Sequence, residues 1–400
     1  MSEDLQQVYA WALEAHDQED FSRAAELYGQ ILDCFPDADL VLYNQGLALY
    51  GLGRFAESAA VFARVAEIRQ DDADTWFNLG LALKQDQRYP EAMQAYKQAL
   101  LLQPGDMDIL FNLANCCREG GQPGQAAIYY QQLLTEEPDH VSGLNNFAYL
   151  CHLQGEYQRA EELYQRLLQL EPDHSGARHM LAALQGTAEE SPDNAYVRDL
   201  FDQYSGNFEQ SLLEKLEYRV PELLSACLHR SFPENPGYEH CLDLGCGTGL
   251  AGVLFRPLCR KMTGVDLSGK MVALARKKAV YDELVTGDVV QFLQDSQQRY
   301  DLVIAADVLT YLADLSPLFS AVARKILPAG LFVFSTEHGE TPGWKIRPTG
   351  RFAHHYDYVV GLGEKFGAEL LCSEKARLRK EGDDWIIGDL YILQFLCNNA

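Results

Sequence analysis

Three glycines spaced two apart, Gly245, Gly247 and Gly249, follow an apolar run that holds Asp243. A second carboxylate, Asp266, closes the next apolar run, 262–265. Glycines in such a turn let the backbone approach a bound molecule closely and adopt φ > 0. A ligand of an open α/β sheet sits outside the carboxyl ends of the strands. The turn and Asp266 are therefore expected to share one site. A second constellation lies in 337–356, which carries Glu337, His338, Trp344, Lys345, Arg347, Arg351, His354 and His355. A stretch this long without obvious periodicity reads as a functional loop. Histidine titrates near neutrality and suits general-base work, so His338, His354 and His355 are the candidate catalytic residues. Lys345, Arg347 and Arg351 stand out in an acidic chain and point to an acidic acceptor such as a carboxylate. The plain alternatives are idle loop histidines and a solvated basic face.

The elements that must position these residues alternate strand and helix. Apolar runs fall at 241–244, 262–265, 285–286, 302–305 and 331–335, with helical stretches at 250–259, 270–279, 289–294 and 315–326. That order predicts a doubly wound parallel sheet. The runs 370–378 and 386–396, joined by a turn at 381–384, read as a hairpin, so the sheet should finish on an antiparallel strand. A nicotinamide-binding domain wants GxGxxG. Starting from Gly245 and Gly247, the third glycine is replaced by Leu250; starting from Gly247 and Gly249, it is present as Gly252.

Asp243 with Gly245, Gly247 and Gly249, followed by Asp266, resembles the S-adenosylmethionine (SAM) loop of class I methyltransferases more closely than the nicotinamide loop. The resemblance implies a Rossmann-like, seven-stranded sheet with a reversed last hairpin, and SAM as cofactor. It implies that Asp266 accepts from both ribose hydroxyls, a charge-assisted pair. Asp243 then orients the methionine ammonium through water, Asp288 and Val289 meet the adenine, and Ala306 and Asp307 border the methionine end. Asp288 and Asp307 could instead be helix caps. Upstream, 196–205 has an amphipathic look, and in related enzymes a helix there covers the cofactor. Tyr204 and Phe208 are then candidates to close over the sulfonium, and Arg219 to pair with the cofactor carboxylate. The phrases Phe201-Asp202-Gln203-Tyr204 and Arg351-Phe352-Ala353-His354-His355-Tyr356 are similar to bacterial methyltransferases fused to tetratricopeptide repeats (TPR). The catalytic half is similar to the ubiquinone-pathway and malonyl-carrier-protein methyltransferase group. Ala306-Asp307-Val308-Leu309 lacks the prolines of amino-methylating nucleic-acid enzymes, no Pro-Cys nucleophile occurs, and no clustered acidic metal ligands are found.

The first half repeats at a period of about 34 residues, with starts at Leu5, Asp39, Ala73, Met107 and Val141. A small residue recurs as Ala24, Ser58, Ala92, Ala126 and Ala160, and an aromatic four residues later as Tyr28, Phe62, Tyr96, Tyr130 and Tyr164. The small residue lets two helices approach, the aromatic fills the space beside it, and a proline (Pro36, Pro104, Pro138, Pro172) stops the second helix. The pattern resembles the tetratricopeptide repeat and predicts an all-α TPR solenoid. Asn44, Asn78, Asn112 and Asn146 share the sixth repeat position. An amide offers a donor and an acceptor, so this ladder could pair with a peptide backbone; a spacing role for the asparagines is the alternative. Tyr43, Phe77 and Phe111, one residue earlier, are expected on the same face, with packing between helices as the alternative.

The expected organisation is a TPR array over 1–185, ending in a capping helix at 175–184, a linker over 186–195, and a methyltransferase domain over 196–400. The net charge of −25 repels phosphate backbones and anionic surfaces, so neither nucleic acid nor membrane is an expected partner. No secretory signal or spanning segment is read. The 10 cysteines lack paired spacing, which predicts reduced thiols in the cytoplasm. Two functions stand: a SAM-dependent methyltransferase whose repeats recruit a protein or peptide, or a TPR adaptor whose SAM-binding domain is inactive or a sensor.

Overall fold

The structure, a computed structural model, describes residues 3–187, 191–204, 209, 211–234, 237–382 and 384–396. It divides into two compact units, Met1–Pro172 and Asp173–Ala400.

The first unit is five helix pairs: α1 (Glu3–Asp17) with α2 (Phe21–Cys34), α3 (Asp39–Gly51) with α4 (Phe55–Ile68), α5 (Ala73–Gln85) with α6 (Tyr89–Leu102), α7 (Met107–Glu119) with α8 (Pro123–Glu136), and α9 (Val141–Leu153) with α10 (Tyr157–Leu170). Every repeated small residue and every repeated aromatic is buried. The reason for the pairing is visible at two glycines. A Cβ on Gly46 would lie 2.8 Å from the Phe62 ring, and one on Gly80 would lie 2.7 Å from the Tyr96 ring. The aromatic of the second helix thus seats against bare backbone of the first. Each turn within a pair spends one left-handed residue at the same place: Glu19, Gly53, Gln87, Gly121 and Gly155, with φ between 59° and 75°.

The second unit opens with α11 (Ser175–Gln185), α12 (Asn194–Tyr204) and α13 (Val220–Ser231). Then follow β1 (Tyr238–Leu244), α14 (Leu250–Phe255), β2 (Cys259–Asp266), α15 (Gly269–Lys277), β3 (Glu283–Thr286), α16 (Val289–Asp295), β4 (Tyr300–Ala305) and α17 (Ser316–Lys325). The chain ends on β5 (Ile326–Gly339), β6 (Trp344–Ile346), β7 (Phe352–His355), α18 (Tyr356–Lys365), β8 (Ala368–Glu381) and β9 (Asp384–Phe395). The α11 helix, expected to end the repeat array, lies within this second unit. There Ala183 joins Ala313, Ile346 and Phe352 in an apolar cluster.

Strands β3, β2, β1, β4 and β5 are parallel in that order. β9 runs antiparallel to β5, and β8 antiparallel to β9. This is the expected seven-strand frame with its reversed hairpin. Alternation along β1 feeds two cores. Leu242 and Leu244 pack with α16, α17 and α18 through residues such as Leu293, Phe319 and Leu362. Cys241 packs on the other face with α13 and α14 through Leu224 and Phe255.

Two further strands correct the expected loop over 337–356. β5 continues to Gly339, β7 pairs parallel with its last three residues, and β6 pairs antiparallel with β7. Burial explains why the segment is ordered: Phe352 is fully buried and Ile346 nearly so, and the His179 imidazole of α11 hydrogen-bonds Gly350 O at 2.7 Å. Among the described residues no helix is long and apolar enough to cross a membrane. Among the free cysteines, Cys227 and Cys372 hold their sulfurs 3.1 Å apart.

Candidate functional site

The glycine turn leaves β1 at Leu244, and Gly245, Gly247 and Gly249 all take positive φ, at 64°, 53° and 91°. Gly245 is required twice over, since a Cβ there would also lie 2.3 Å from Val308 Cγ2. A Cβ on Gly247 would meet nothing within 4 Å, so that side of the turn is open. Asp266, at the end of β2, ties the turn in place. Its Oδ2 accepts from Gly247 N at 2.8 Å and its Oδ1 from Ser268 N at 2.9 Å. Burial raises the Asp266 carboxyl above the usual range, and these two backbone donors oppose the rise. A carboxylate offers about four lone-pair sites, so two remain for a ligand.

Asp243 sits beneath the turn, 1% exposed. Tyr281 donates its hydroxyl to Asp243 Oδ2 at 2.6 Å, while Oδ1 is buried with no hydrogen-bond partner. Burial pushes this carboxyl up to about 7, the Tyr281 bond opposes the rise, and the Asp266 charge adds to it. A buried acceptor without a donor, next to an open glycine turn, fits a cationic group on a ligand.

Asp288 caps α16: its Oδ1 accepts from Val290 N at 3.0 Å and Gln291 N at 2.8 Å. The capping role is therefore present, and Val289 beside it is buried. Across the strand ends runs α12. Its Asn194 donates to Asp288 Oδ2 at 3.4 Å, its Asp202 carboxylate accepts from the Ser268 hydroxyl, and Phe201 meets Tyr311 edge-on at 5.3 Å. One helix thus touches the loops after β2, β3 and β4. The Tyr204 side chain and Phe208 lie outside the described residues. Arg219 departs from expectation. It is exposed, its backbone N–H donates to Leu378 O on β8 at 3.1 Å, and among the described residues no hydrogen bond or ion pair joins it to the turn. Its place before α13, which packs on the sheet face, accounts for this.

At the end of β4, Asp307 adopts φ 61° and enters a buried ionic cluster. Arg379 of β8, 1% exposed, holds both Asp307 oxygens at 2.6 and 2.8 Å and also binds Glu337. Asp307 is therefore paired to an arginine and does not cap a helix. Burial raises its carboxyl, and Arg379 pulls it back down. Arg347 Nε lies 3.3 Å from Glu337 Oε2. The Arg351 guanidinium lies over the Tyr311 ring at 5.9 Å and 3.8 Å from Glu381. Arg347 and Arg351 stay reachable, with side chains 34% and 24% exposed.

The three histidines do not form one centre. His354 is buried, and its Nε2 lies 2.9 and 3.1 Å from the carbonyls of Leu312 and Ala313. Burial pushes its pKa down to about 4, which those carbonyls partly offset. A buried ring fixed by two carbonyls corrects its reading as a candidate base or an idle exposed histidine. His355 caps α18, accepting from Asp357 N at 3.2 Å. His338 differs: its Nδ1 lies 2.6 Å from Asp389 Oδ2, and its Nε2 lies 3.0 Å from Lys375 Nζ. Arg379, Tyr281 and Asp389 were not singled out from sequence, because no local motif surrounds them.

In the first unit the asparagine ladder is half committed. Asn44 donates to the Tyr9 hydroxyl at 3.2 Å, and Asn78 to the Tyr43 hydroxyl at 2.9 Å and to Asp74 O at 2.8 Å. Asn112 donates to Asp108 O, and Asn146 to Asn115 Oδ1, each at 2.9 Å. Tyr43, Phe77 and Phe111 pack against Phe62, Tyr96 and His140. One amide hydrogen of Asn44 and one of Asn146 thus serve a neighbouring helix, one of Asn112 serves its own helix, and Asn78 spends both of its hydrogens.

The chain matches the family model of the methyltransferase domain over residues 242–334 and that of the tetratricopeptide repeat over 9–75, 77–141 and 118–177. It is 34% identical to malonyl-[acyl-carrier protein] O-methyltransferase of Priestia megaterium over 102 residues, covering 24% of this chain and 35% of that protein. It is 30% identical to nodulation protein S of Sinorhizobium fredii over 118 residues (28% and 53%). Against ubiquinone biosynthesis O-methyltransferase of Proteus mirabilis the figure is 29% over 132 residues (31% and 50%). The chain thus spans between 35% and 53% of the length of these curated relatives. Among solved structures it is similar to MamA (17% identity, TM-score 0.41, 43% of this chain and 94% of that one). It is also similar to the N-methyltransferase NodS of Bradyrhizobium japonicum WM9 in complex with S-adenosyl-l-homocysteine (18%, 0.41, 51% and 99%).

Proposed function

For a chain that joins tetratricopeptide repeats to a methyltransferase domain, we propose a SAM-dependent methyltransferase whose array recruits a protein or peptide. The observation that carries the reading is the pairing of Asp266, which ties down the open glycine turn, with the unpartnered buried oxygen of Asp243 beneath it. When bound, SAM supplies a sulfonium-activated methyl group that passes directly to the acceptor's nucleophile. The remaining lone pairs of Asp266 accept from the ribose hydroxyls, and Asp243 Oδ1 faces the ammonium. Asp288 keeps its capping role and presents Val289 towards the adenine, while Asp307 borders the methionine end. The α12 helix, ending in Tyr204, excludes water from the strand ends. Most of the rate then comes from positioning.

An acidic acceptor fits the reachable Arg347 and Arg351, which bind carboxylates well as planar donors. Where the nucleophile arrives protonated, His338 is the base. Asp389 holds its Nδ1–H, and Nε2 takes the proton once the Lys375 ammonium moves aside. In the array, the carbonyl oxygens of Asn44, Asn78, Asn112 and Asn146 accept from an extended backbone.

The test is incubation of the full chain with methyl-labelled SAM and a cell lysate. Label entering a product is expected. Tight SAM binding without any labelled product overturns the enzyme in favour of an adaptor. Arg351→Gln is expected to raise the acceptor KM; an unchanged KM removes the acidic acceptor.

A further inference from the structure

We propose that Tyr281 is a positioning residue of the donor site: its hydroxyl holds Asp243 so that Oδ1 alone is left to receive the ammonium group of the donor's amino-acid moiety. The inference rests on the methyltransferase reading. Its geometry is specific. The Tyr281 ring lies in a slot made by three glycines from three segments. A Cβ on Gly252 of α14 would come 2.2 Å from the Tyr281 hydroxyl, one on Gly264 of β2 would come 2.9 Å from the ring, and one on Gly249 would come 3.1 Å from it. Gly252, the glycine that completes a nicotinamide-type spacing in the sequence, therefore makes room for a tyrosine. The hydroxyl emerges from this slot 2.6 Å from Asp243 Oδ2. A carboxylate with one oxygen fixed by a strong donor presents the other in a fixed direction, and that other oxygen is buried and unpartnered.

Among the described residues, the titratable groups that interact with Asp243 include Tyr281, Asp266 of β2, the thiols of Cys241 and Cys246, and the Tyr218 hydroxyl. Burial raises both thiols and both tyrosine hydroxyls well above their ordinary values, so they stay neutral where Asp243 titrates. Asp266 is the other titrating neighbour, and it belongs to the ribose half of the site. The two carboxylates can thus be read separately with two probes. S-adenosylhomocysteine carries the ammonium; 5′-methylthioadenosine carries the same nucleoside without it.

The experiment measures both affinities by calorimetry from pH 5.5 to 8.5 for the full chain, Tyr281→Phe, Asp243→Asn and the double variant. Phenylalanine keeps the ring in its slot. Tyr281→Phe is expected to weaken S-adenosylhomocysteine by about tenfold at pH 7, to move the acid limb of its binding to higher pH, and to leave 5′-methylthioadenosine within about twofold. On top of Asp243→Asn, Tyr281→Phe is expected to cost nothing more. Equal losses for both probes, additive losses in the double variant, or an unmoved pH limb overturn the positioning role. Wild-type protein that binds neither probe overturns the methyltransferase reading itself, and the inference with it.

Discussion

Replacing Arg379 by methionine removes a cation that binds both Asp307 and Glu337. The substitution keeps the length of the aliphatic stem, so packing changes little. Electrostatics change a great deal. Arg379 and Glu337 have side chains 1% exposed, and Asp307 14%. Breaking a buried pair by deleting one partner costs about 3–5 kcal/mol, because the remaining charge is left without compensation. For a unit of this size that corresponds to a fall of roughly 6–20 °C in Tm. The cost depends on pH with a definite sign. Burial already raises the Asp307 carboxyl, and Arg379 lowers it; without the arginine it rises further. A carboxyl raised in the folded state favours folding when protonated and loses that advantage as pH climbs through its folded value. The deficit of the variant is therefore expected to be largest at pH 8 and to shrink towards pH 5. Scanning calorimetry of the full chain at both pH values measures it. Adding Asp307→Asn to the methionine variant is expected to recover about half the loss, since the stranded Asp307 charge is then gone while Glu337 keeps Arg347 at 3.3 Å. A methionine variant within about 1 kcal/mol of the native chain at pH 8, or a deficit that grows on acidification, would refute the reasoning.

Gly245→Ala is expected to cost about 2–4 kcal/mol, because the residue is left-handed and its Cβ would strike Val308; Val308→Ala in the same chain should return part of the loss in a denaturant titration. His338→Asn is expected to lower turnover of a protonated acceptor by about a hundredfold with little loss of Tm. His354→Asn should do the reverse, because it strands the carbonyls of Leu312 and Ala313. Asn78→Ala should destabilise the array by about 1–2 kcal/mol through its two lost hydrogen bonds, read as the shift of the unfolding transition.

The repeats were legible because their information is periodic. Ala24 with Tyr28 and Ala160 with Tyr164 carry the same message at the same spacing, and burial follows it. The glycine turn and Asp266 were legible because backbone conformation there demands particular residue types. What escaped was held by distant partners. Arg379 meets Asp307 72 residues away, and Tyr281 meets Asp243 38 residues away; neither has a neighbour that marks it. The β6–β7 hairpin escaped for another reason, since strands of three and four residues are too short to alternate. The α11 helix looks the same in sequence whichever surface its apolar stripe covers, so its amphipathic pattern reveals a buried face without naming what buries it.

The recurring left-handed turn in the helix pairs has an engineering consequence. Three of the five pairs place glycine there, while Glu19 and Gln87 hold φ of 59° and 63° with a full side chain. A non-glycine residue in that conformation costs about 1–2 kcal/mol, and glycine loses up to about 1 kcal/mol back through the unfolded chain. Glu19→Gly and Gln87→Gly are therefore expected to raise the melting point of the array slightly, as thermal denaturation would measure. Both residues are exposed and lie outside the repeated apolar seam, so heat tolerance can be tuned at two dials without touching the packing between helices.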